Sequence, residues 1–243
     1  VILSCKAYDL DGAIESFAPA VGPNTVIVPL LNGMQHLDVL DARFGADRVL
    51  GGSCFISAKL DEGGQIAHLS DIHRLTFGER TGGLSPRVEA LAAAMTGAKF
   101  KTVGSDKILL VMWEKWVFLA SLAGITCLTR AAVGDVVAVG GADLAAALLD
   151  ECRTIAAAAG YPPRPDSLKA SLGWLTEPGS AVTASMLGDV ERRGRTEADH
   201  VLGDLLRRRG GASDGDRSLL RMAYVAVKAA KARAARESGA KRS

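Results

Sequence analysis

Residues 108–128 read ILLVMWEKWVFLASLAGITCL, and the character of the chain changes on entering this stretch. The run is apolar enough to raise the question of a membrane span. Glu114 and Lys115 sit near its middle, where charged side chains are costly in a bilayer, so the reading is a core helix of a soluble domain. Downstream of Ser105-Asp106 every segment reads as helix: about 106–128, 130–139, 143–159, 166–175, 196–209 and 216–236. Upstream, strand and helix patterns alternate. The sequence therefore predicts α/β plus all-α, with an α/β domain over 1–105 and a helical domain over 106–243.

Within the first part, Val1-Ile2-Leu3-Ser4 reads as the end of a strand and Asp9 to Val21 as an amphipathic helix. After the Pro23-Asn24 turn, Thr25-Val26-Ile27-Val28 form a β-branched run of the fully buried kind. A helix is expected from Gln35 to Phe44, closed by Gly45, and a strand from Val49 to Ser57. Residues 65–69 and 74–77 read as a hairpin-type pair. Ser85-Pro86 opens a helix with proline at its first position, and 99–103 reads as a short final strand.

The chain has 243 residues, 48% hydrophobic and 23% charged. That is an ordinary globular composition, which excludes disorder, collagen and a simple coiled coil. Lys+Arg 29 against Asp+Glu 27 gives a net charge of +2, too small to point to nucleic acid. Basic residues do bunch at Lys228, Lys231, Arg233, Arg236, Lys241 and Arg242, which read as a solvated last helix and a frayed tail. The 4 cysteines, Cys5, Cys54, Cys127 and Cys152, lie far apart with no C-x-x-C pair, as expected for buried, reduced thiols in the cytoplasm. His68 and His73 lack ligand spacing, so no metal is implied. No signal peptide is expected ahead of the first helix. Val1 opens in mid-strand, which points to an upstream part beyond this sequence.

Four features carry chemistry, each beside a plainer reading. Asn32-Gly33 ends a buried strand, where the ligand crevice of an open parallel sheet lies; the pair equally makes a tight turn. Lys6 occupies a similar edge, or is a surface lysine. Lys115 within Trp113-Glu114-Lys115-Trp116 suits a general acid, since a desolvated lysine titrates nearer neutrality; the alternative is a side chain snorkelling from the core rim. Ser185-Met186-Leu187-Gly188-Asp189-Val190 leads through Arg192, Arg193 and Arg195 to Thr196-Glu197, where Thr196 can cap a helix with Glu197 in its first turn. No G-x-G-x-x-G, G-x-S-x-G or Walker loop occurs, and the paired glycines at 51–52, 82–83 and 140–141 do not fit a phosphate loop.

Taken together, Ser4-Cys5-Lys6-Ala7, Leu31-Asn32-Gly33-Met34, Trp113-Glu114-Lys115, Ser185-Met186-Leu187-Gly188-Asp189-Val190 and Gly194-Arg195-Thr196-Glu197 resemble the ketopantoate reductase (2-dehydropantoate 2-reductase) family. Their order spans nearly the whole chain, and the last motif is the most specific. The resemblance implies an incomplete Rossmann-type NAD(P)-binding domain followed by a helical 6-phosphogluconate dehydrogenase-like C-terminal domain. It implies NADPH-dependent reduction of 2-dehydropantoate to pantoate, a step of pantothenate biosynthesis. By position, Lys115 resembles the family's general acid and Glu197 the nearby carboxylate that also touches the cofactor. Ser185 resembles the substrate-binding serine, Asn32 and Lys6 cofactor contacts, with Asn32 also at the substrate. Ser57 or its neighbour Ile56 falls at a further cofactor contact.

Two departures qualify the resemblance. Where the family often carries asparagines one and two turns after the lysine, this chain has Leu119 and Ala123. Either another residue, for example Ser121 or Thr126, takes their place, or the substrate is another branched 2-keto acid. The pyrophosphate loop of a first βαβ unit is also absent. About 60 residues, two βα units, are expected before Val1, and the chain alone is expected to bind NADPH poorly and to be inactive. A small-molecule 2-keto acid is thus the expected partner, with no nucleic acid and no membrane. A homodimer is compatible with the sequence, which carries no reading of oligomeric state or of NADPH over NADH. The rival from another class is a non-catalytic helical oligomerisation or interaction protein.

Overall fold

The computed structural model describes residues 1–61, 63–209 and 217–240. Its contacts form two compact units: Val1–Leu31 with Gln35–Met112, and Asn32–Met34 with the chain from Trp113 onward.

The first unit is built on strands. β1 (Ile2–Leu3) and β2 (Val28–Pro29) pair in parallel, with Ile2 opposite Val28. A parallel pair needs a crossover, and α1 (Leu10–Phe17) supplies it, burying Leu10 and Ile14. The β-branched run is buried as expected at Ile27 and Val28. α2 (Gln35–Phe44) follows and stops before Gly45. A single parallel bridge, Ile27 to Val49, leads into β3 (Gly51–Leu60), β4 (Ile66–Gly78) and β5 (Lys101–Gly104). β3 and β4 are antiparallel, β4 and β5 parallel. α3 (Pro86–Ala94) precedes β5, and the Val88 N–H donates to the hydroxyl of its cap, Ser85. Val28, Leu50, Leu75, Phe77 and Val88 form the core of this unit.

One expectation is corrected here. Residues 65–69 and 74–77 are not two arms of a hairpin; both lie in β4, a single strand antiparallel to β3. The turn lies earlier, where the Gln65 N–H donates to the Asp61 carboxylate and the Asp61 N–H to the Gln65 carbonyl. The pairing slips between Ile56, opposite His73, and Ala58, opposite His68. A bulge therefore absorbs the polar stretch before His73 without ending the strand.

The second unit is helical. α4 (Ile108–Thr129) is its central helix, followed by α5 (Val133–Ala138), α6 (Ala142–Ala158), α7 (Pro165–Leu175), α8 (Ser185–Glu191), a π-helical turn (Asp199–Gly203), α9 (Asp204–Arg208) and α10 (Leu219–Ala240). The contacts divide inside α4, after Met112 rather than near residue 105, because Ile108 and Met112 pack against Gly51. Trp116, Ile125, Leu148, Leu175, Leu202, Leu205 and Leu220 are fully buried, each stabilising by about 1.5–3 kcal/mol relative to exposure. α4 is long and apolar enough to cross a membrane by length and composition, yet most of it is buried inside the protein.

The helical half departs from expectation in detail. α8 was not anticipated, being too short to show a helical period, although it buries Met186, Leu187 and Val190. The helix expected over 196–209 is the π turn plus α9. That expected over 216–236 starts at Leu219; residue 216 lies outside the described residues, as do Lys241 and Arg242. Glu151 of α6 prepares the start of α10, accepting the Leu220 N–H at 3.2 Å and the Ser218 hydroxyl at 2.5 Å. Cys127 and Cys152 are buried, and desolvation pushes each thiol up to about 12, whereas Cys5 and Cys54 are only half-buried.

The join between β2 and β3 tolerates no side chain at Gly52, where a Cβ would lie 2.2 Å from the Pro29 carbonyl oxygen. Gly52→Ala is expected to destabilise the protein by about 3 kcal/mol, read as a lower urea midpoint; an unchanged midpoint would show that this contact relaxes freely.

Candidate active site

The two adjacent charges of α4 do not neutralise each other. Glu114 is 7% exposed and accepts three hydrogen bonds from Arg164: from the backbone N–H at 2.9 Å, from Nε at 2.8 Å and from Nη2 at 2.5 Å. Arg164 immediately precedes α7, so the carboxylate ties the start of α7 to α4. The hydrogen bond that Arg164 donates to Glu114 raises the guanidinium above its ordinary pKa. Lys115, the next residue, is half-buried.

Trp116 follows and is 1% exposed. Its indole N–H donates to the Val201 carbonyl in the π turn at 2.8 Å. Its ring lies under the Arg208 guanidinium at 5.7 Å, and Arg208 in turn donates to Asp204 at 3.1 Å. Trp113 extends the cluster, stacking on Tyr161 with centroids 5.6 Å apart.

The Asn32-Gly33-Met34 loop belongs to the helical unit. Gly33 has φ +79°, and a Cβ there would stand 2.7 Å from the His200 carbonyl oxygen and 3.8 Å from the Trp116 ring. A glycine is required on both counts. Glu197, 6% exposed, opens the same turn: its carbonyl accepts the N–H groups of His200 at 3.0 Å and Val201 at 2.9 Å. π turns are rare and are frequent at functional sites. Three separate segments, those carrying Asn32, Lys115 and Glu197, are thus joined through Gly33, Trp116 and the turn at 200–201.

The other expected site residues are placed less closely. Ser185 is the exposed first residue of α8, and the Ala184 N–H beside it donates to Thr126 of α4 at 3.4 Å. Lys6 is half-buried just after β1, and Ser57 is exposed at the β3 bulge. Arg192 pairs with Asp189, and Arg193 with Glu237. Two suggestions are corrected. Ser121 and Thr126 do not stand in for the missing asparagines: both are fully buried, and their hydroxyls donate back to the Val117 and Leu122 carbonyls. Thr196 is not the helix cap expected of it, since the carbonyl of Glu197 begins the turn. Among the described residues no group of three or more His, Cys, Asp or Glu is arranged for a metal ion.

Trp116 and His200 join the Asn32, Lys115 and Glu197 segments and were not singled out from the sequence, whereas Gly33 was. The tryptophan adjoining Lys115 was the available signal; the partner carbonyls belong to backbone and leave no trace in residue types.

The architecture, a parallel β-α-β start with a helical unit that carries the polar residues, is that of a Rossmann-like oxidoreductase. The family model for ketopantoate reductase PanE/ApbA matches residues 1–82, and that for the ketopantoate reductase PanE/ApbA C-terminal domain matches residues 107–231. The chain belongs to the ketopantoate reductase family. An uncharacterized oxidoreductase, YkpB, of Bacillus subtilis is 38% identical over 207 residues, covering 85% of this chain and 68% of that protein. The crystal structure of 2-dehydropantoate 2-reductase from Methylococcus capsulatus matches with TM-score 0.80 and 26% identity, over 96% of this chain and 74% of that one. D-mandelate dehydrogenase, solved with NADH, shares the fold with TM-score 0.82 and 18% identity, over 95% of this chain and 78% of that one.

The π turn is tethered to α10. Asp199 accepts from the Tyr224 hydroxyl at 2.7 Å and from Lys228 at 2.9 Å. Burial pushes the Asp199 carboxyl up, but these hydrogen bonds outweigh it and hold the group below its ordinary value. The folded value being depressed, the stabilisation is present above the unfolded pKa of about 3.9 and is lost as pH falls through the folded value. Asp199 is 52% exposed, so solvent screening limits the effect to under about 1 kcal/mol. The melting-temperature gap between wild type and Asp199→Asn should be widest near neutrality and close on acidification below about pH 4. A gap constant through that range would refute a charged tether.

Proposed function

We propose that the protein reduces a 2-keto acid to the 2-hydroxy acid with NADPH, 2-dehydropantoate being the substrate its family membership favours. The observation that carries this reading is the linkage of the Asn32, Lys115 and Glu197 segments within one unit through Gly33, Trp116 and the π turn. A reductase of this kind needs a proton donor, a carboxylate to orient it and an amide on a neighbouring loop, and those are the residue types present.

The residues suit a dinucleotide. Lys6 follows the C-terminal end of β1 and Asn32 that of β2, the end of a parallel sheet at which such ligands bind. The Lys6 ammonium suits a phosphate, Asn32 and Ser57 supply neutral hydrogen-bonding groups, and Glu197 a carboxylate. When bound, the reduced nicotinamide supplies the hydride. Lys115 holds a proton where charge gathers on the carbonyl oxygen, stabilises that oxygen and then protonates it to the hydroxyl. Glu197 favours the ammonium form of Lys115 and aims it. Ser185 donates a hydrogen bond to the substrate carboxylate. The neutral lysine left behind regains its proton from solvent.

A second reading, another branched 2-keto acid, is favoured by Leu119 and Ala123 along the helix from Lys115 and by the inward-turned hydroxyls of Ser121 and Thr126. That helix offers no spare hydrogen-bonding side chain to a substrate hydroxyl at these positions. NADH is the alternative cofactor, and a soluble cytoplasmic enzyme is the setting that accords with this chemistry.

Lys115→Ala in the full-length protein is expected to lose about 10²–10⁴-fold in turnover while cofactor binding, followed by fluorescence titration, survives. Turnover near wild type would remove Lys115 as the acid. Comparing kcat/KM for 2-dehydropantoate with that for 2-keto acids lacking a hydroxyl, each with NADPH and NADH, separates the two readings. A preference of tenfold or more for the hydroxyl-bearing substrate, about 1.4 kcal/mol, decides for 2-dehydropantoate.

A further inference from the structure

We propose that Trp116 is a positioning residue of this site, holding Lys115, Asn32 and Glu197 in a fixed mutual geometry through one buried linkage; the inference rests on the reductase reading above. Four observations carry it. Trp116 is covalently next to Lys115, so the rotation and height of α4 at the lysine are those of the tryptophan. Its indole N–H ends on the Val201 carbonyl at 2.8 Å, and Val201 is hydrogen-bonded through its own N–H to Glu197 at 2.9 Å. Its ring lies 3.8 Å from where a Gly33 side chain would begin, and Gly33 abuts the His200 carbonyl at 2.7 Å by the same measure. The Arg208 guanidinium lies over the Trp116 ring at 5.7 Å, itself held by the buried Asp204 carboxylate.

A buried indole N–H needs an acceptor, and the acceptor here is a backbone carbonyl in the one turn of π-helix among the described residues. A carbonyl displaced there moves the turn that Glu197 opens. The loop carrying Asn32 is seated on the same turn without the thickness of a methyl group between them. Moving any of the three segments therefore moves the tryptophan or breaks its bond, and misplacement by about 1 Å is enough to cost about 10²-fold in rate.

The test uses the full-length enzyme. Trp116→Phe keeps the aromatic bulk and removes the donor; Gly33→Ala pushes the Asn32 loop off the His200 carbonyl from the opposite side. Each is expected to lower kcat by about tenfold or more, a larger factor than any rise in KM or cofactor Kd that follows from the displaced Asn32 loop. Because both act on one linkage, the double variant should lose less than the product of the two single losses.

The proposal is overturned if kcat is unchanged in the single variants, if the losses multiply, or if the fall in rate only tracks the fall in folded protein seen by circular dichroism and melting temperature. Should Trp116→Phe not fold, Gly33→Ala decides alone by the same split of kcat from KM. Failure of the underlying reading looks different: wild type then reduces no 2-keto acid, or Lys115→Ala keeps full turnover.

Discussion

A carboxylate that is 7% exposed sits in the second turn of the long apolar helix α4, and burial there requires that it be satisfied. Glu114 is met by the backbone N–H, Nε and Nη2 of Arg164, a fork that matches both carboxylate oxygens. Neighbouring residues on a helix do not face each other, so Lys115 could not have done this work. The arginine fixes where α7 begins, and with it the path of the chain that leads to α8. One ionic contact thus sets the layout while leaving the adjacent lysine on a different side of the helix.

Backbone carbonyls carry the contacts that join the Asn32, Lys115 and Glu197 segments. Carbonyls of Val201, His200 and Glu197 receive, respectively, an indole N–H, a glycine pressed close, and two amide N–H groups. Backbone is a rigid reference because its groups are already fixed by the helix they belong to. The hydroxyls that might have offered flexibility, on Ser121 and Thr126, are bonded to α4 itself. The outcome is a stiff, apolar support beneath a small number of charged groups.

Much of this was legible in the sequence. The change from alternating elements to continuous helix after residue 105, the burial of Ile27 and Val28 in the run at 25–28, the Ser85-Pro86 start and the core nature of 108–128 all follow from periodicity and capping chemistry, and the structure bears them out. The long β4 was not legible, because a bulge absorbs polar residues that otherwise read as a break. Nor was α8, whose two turns are too few to display a period. The π turn was read as part of an ordinary helix, since residue types do not distinguish the two. The linkage through Trp116 is illegible for a deeper reason: its acceptor is a main-chain oxygen, which every residue possesses. Lys115, Glu197 and Asn32 could be singled out by type and context, but what joins their segments could not.

The three residues Asn32–Met34 lie between β2 and α2 in the chain and yet count with the helical unit. Sequence order and structural membership are here at odds, with a practical consequence for anyone recombining such proteins. A chimera made by exchanging the strand-rich half at a single junction in α4 would import three foreign residues into the helical half's interior. Gly33 would have to meet a π turn it did not evolve against, and a loop longer by one methyl group would not seat. Exchange of the two halves between relatives therefore needs three junctions rather than one, and the modular look of the fold is deceptive at the place where its chemistry is expected.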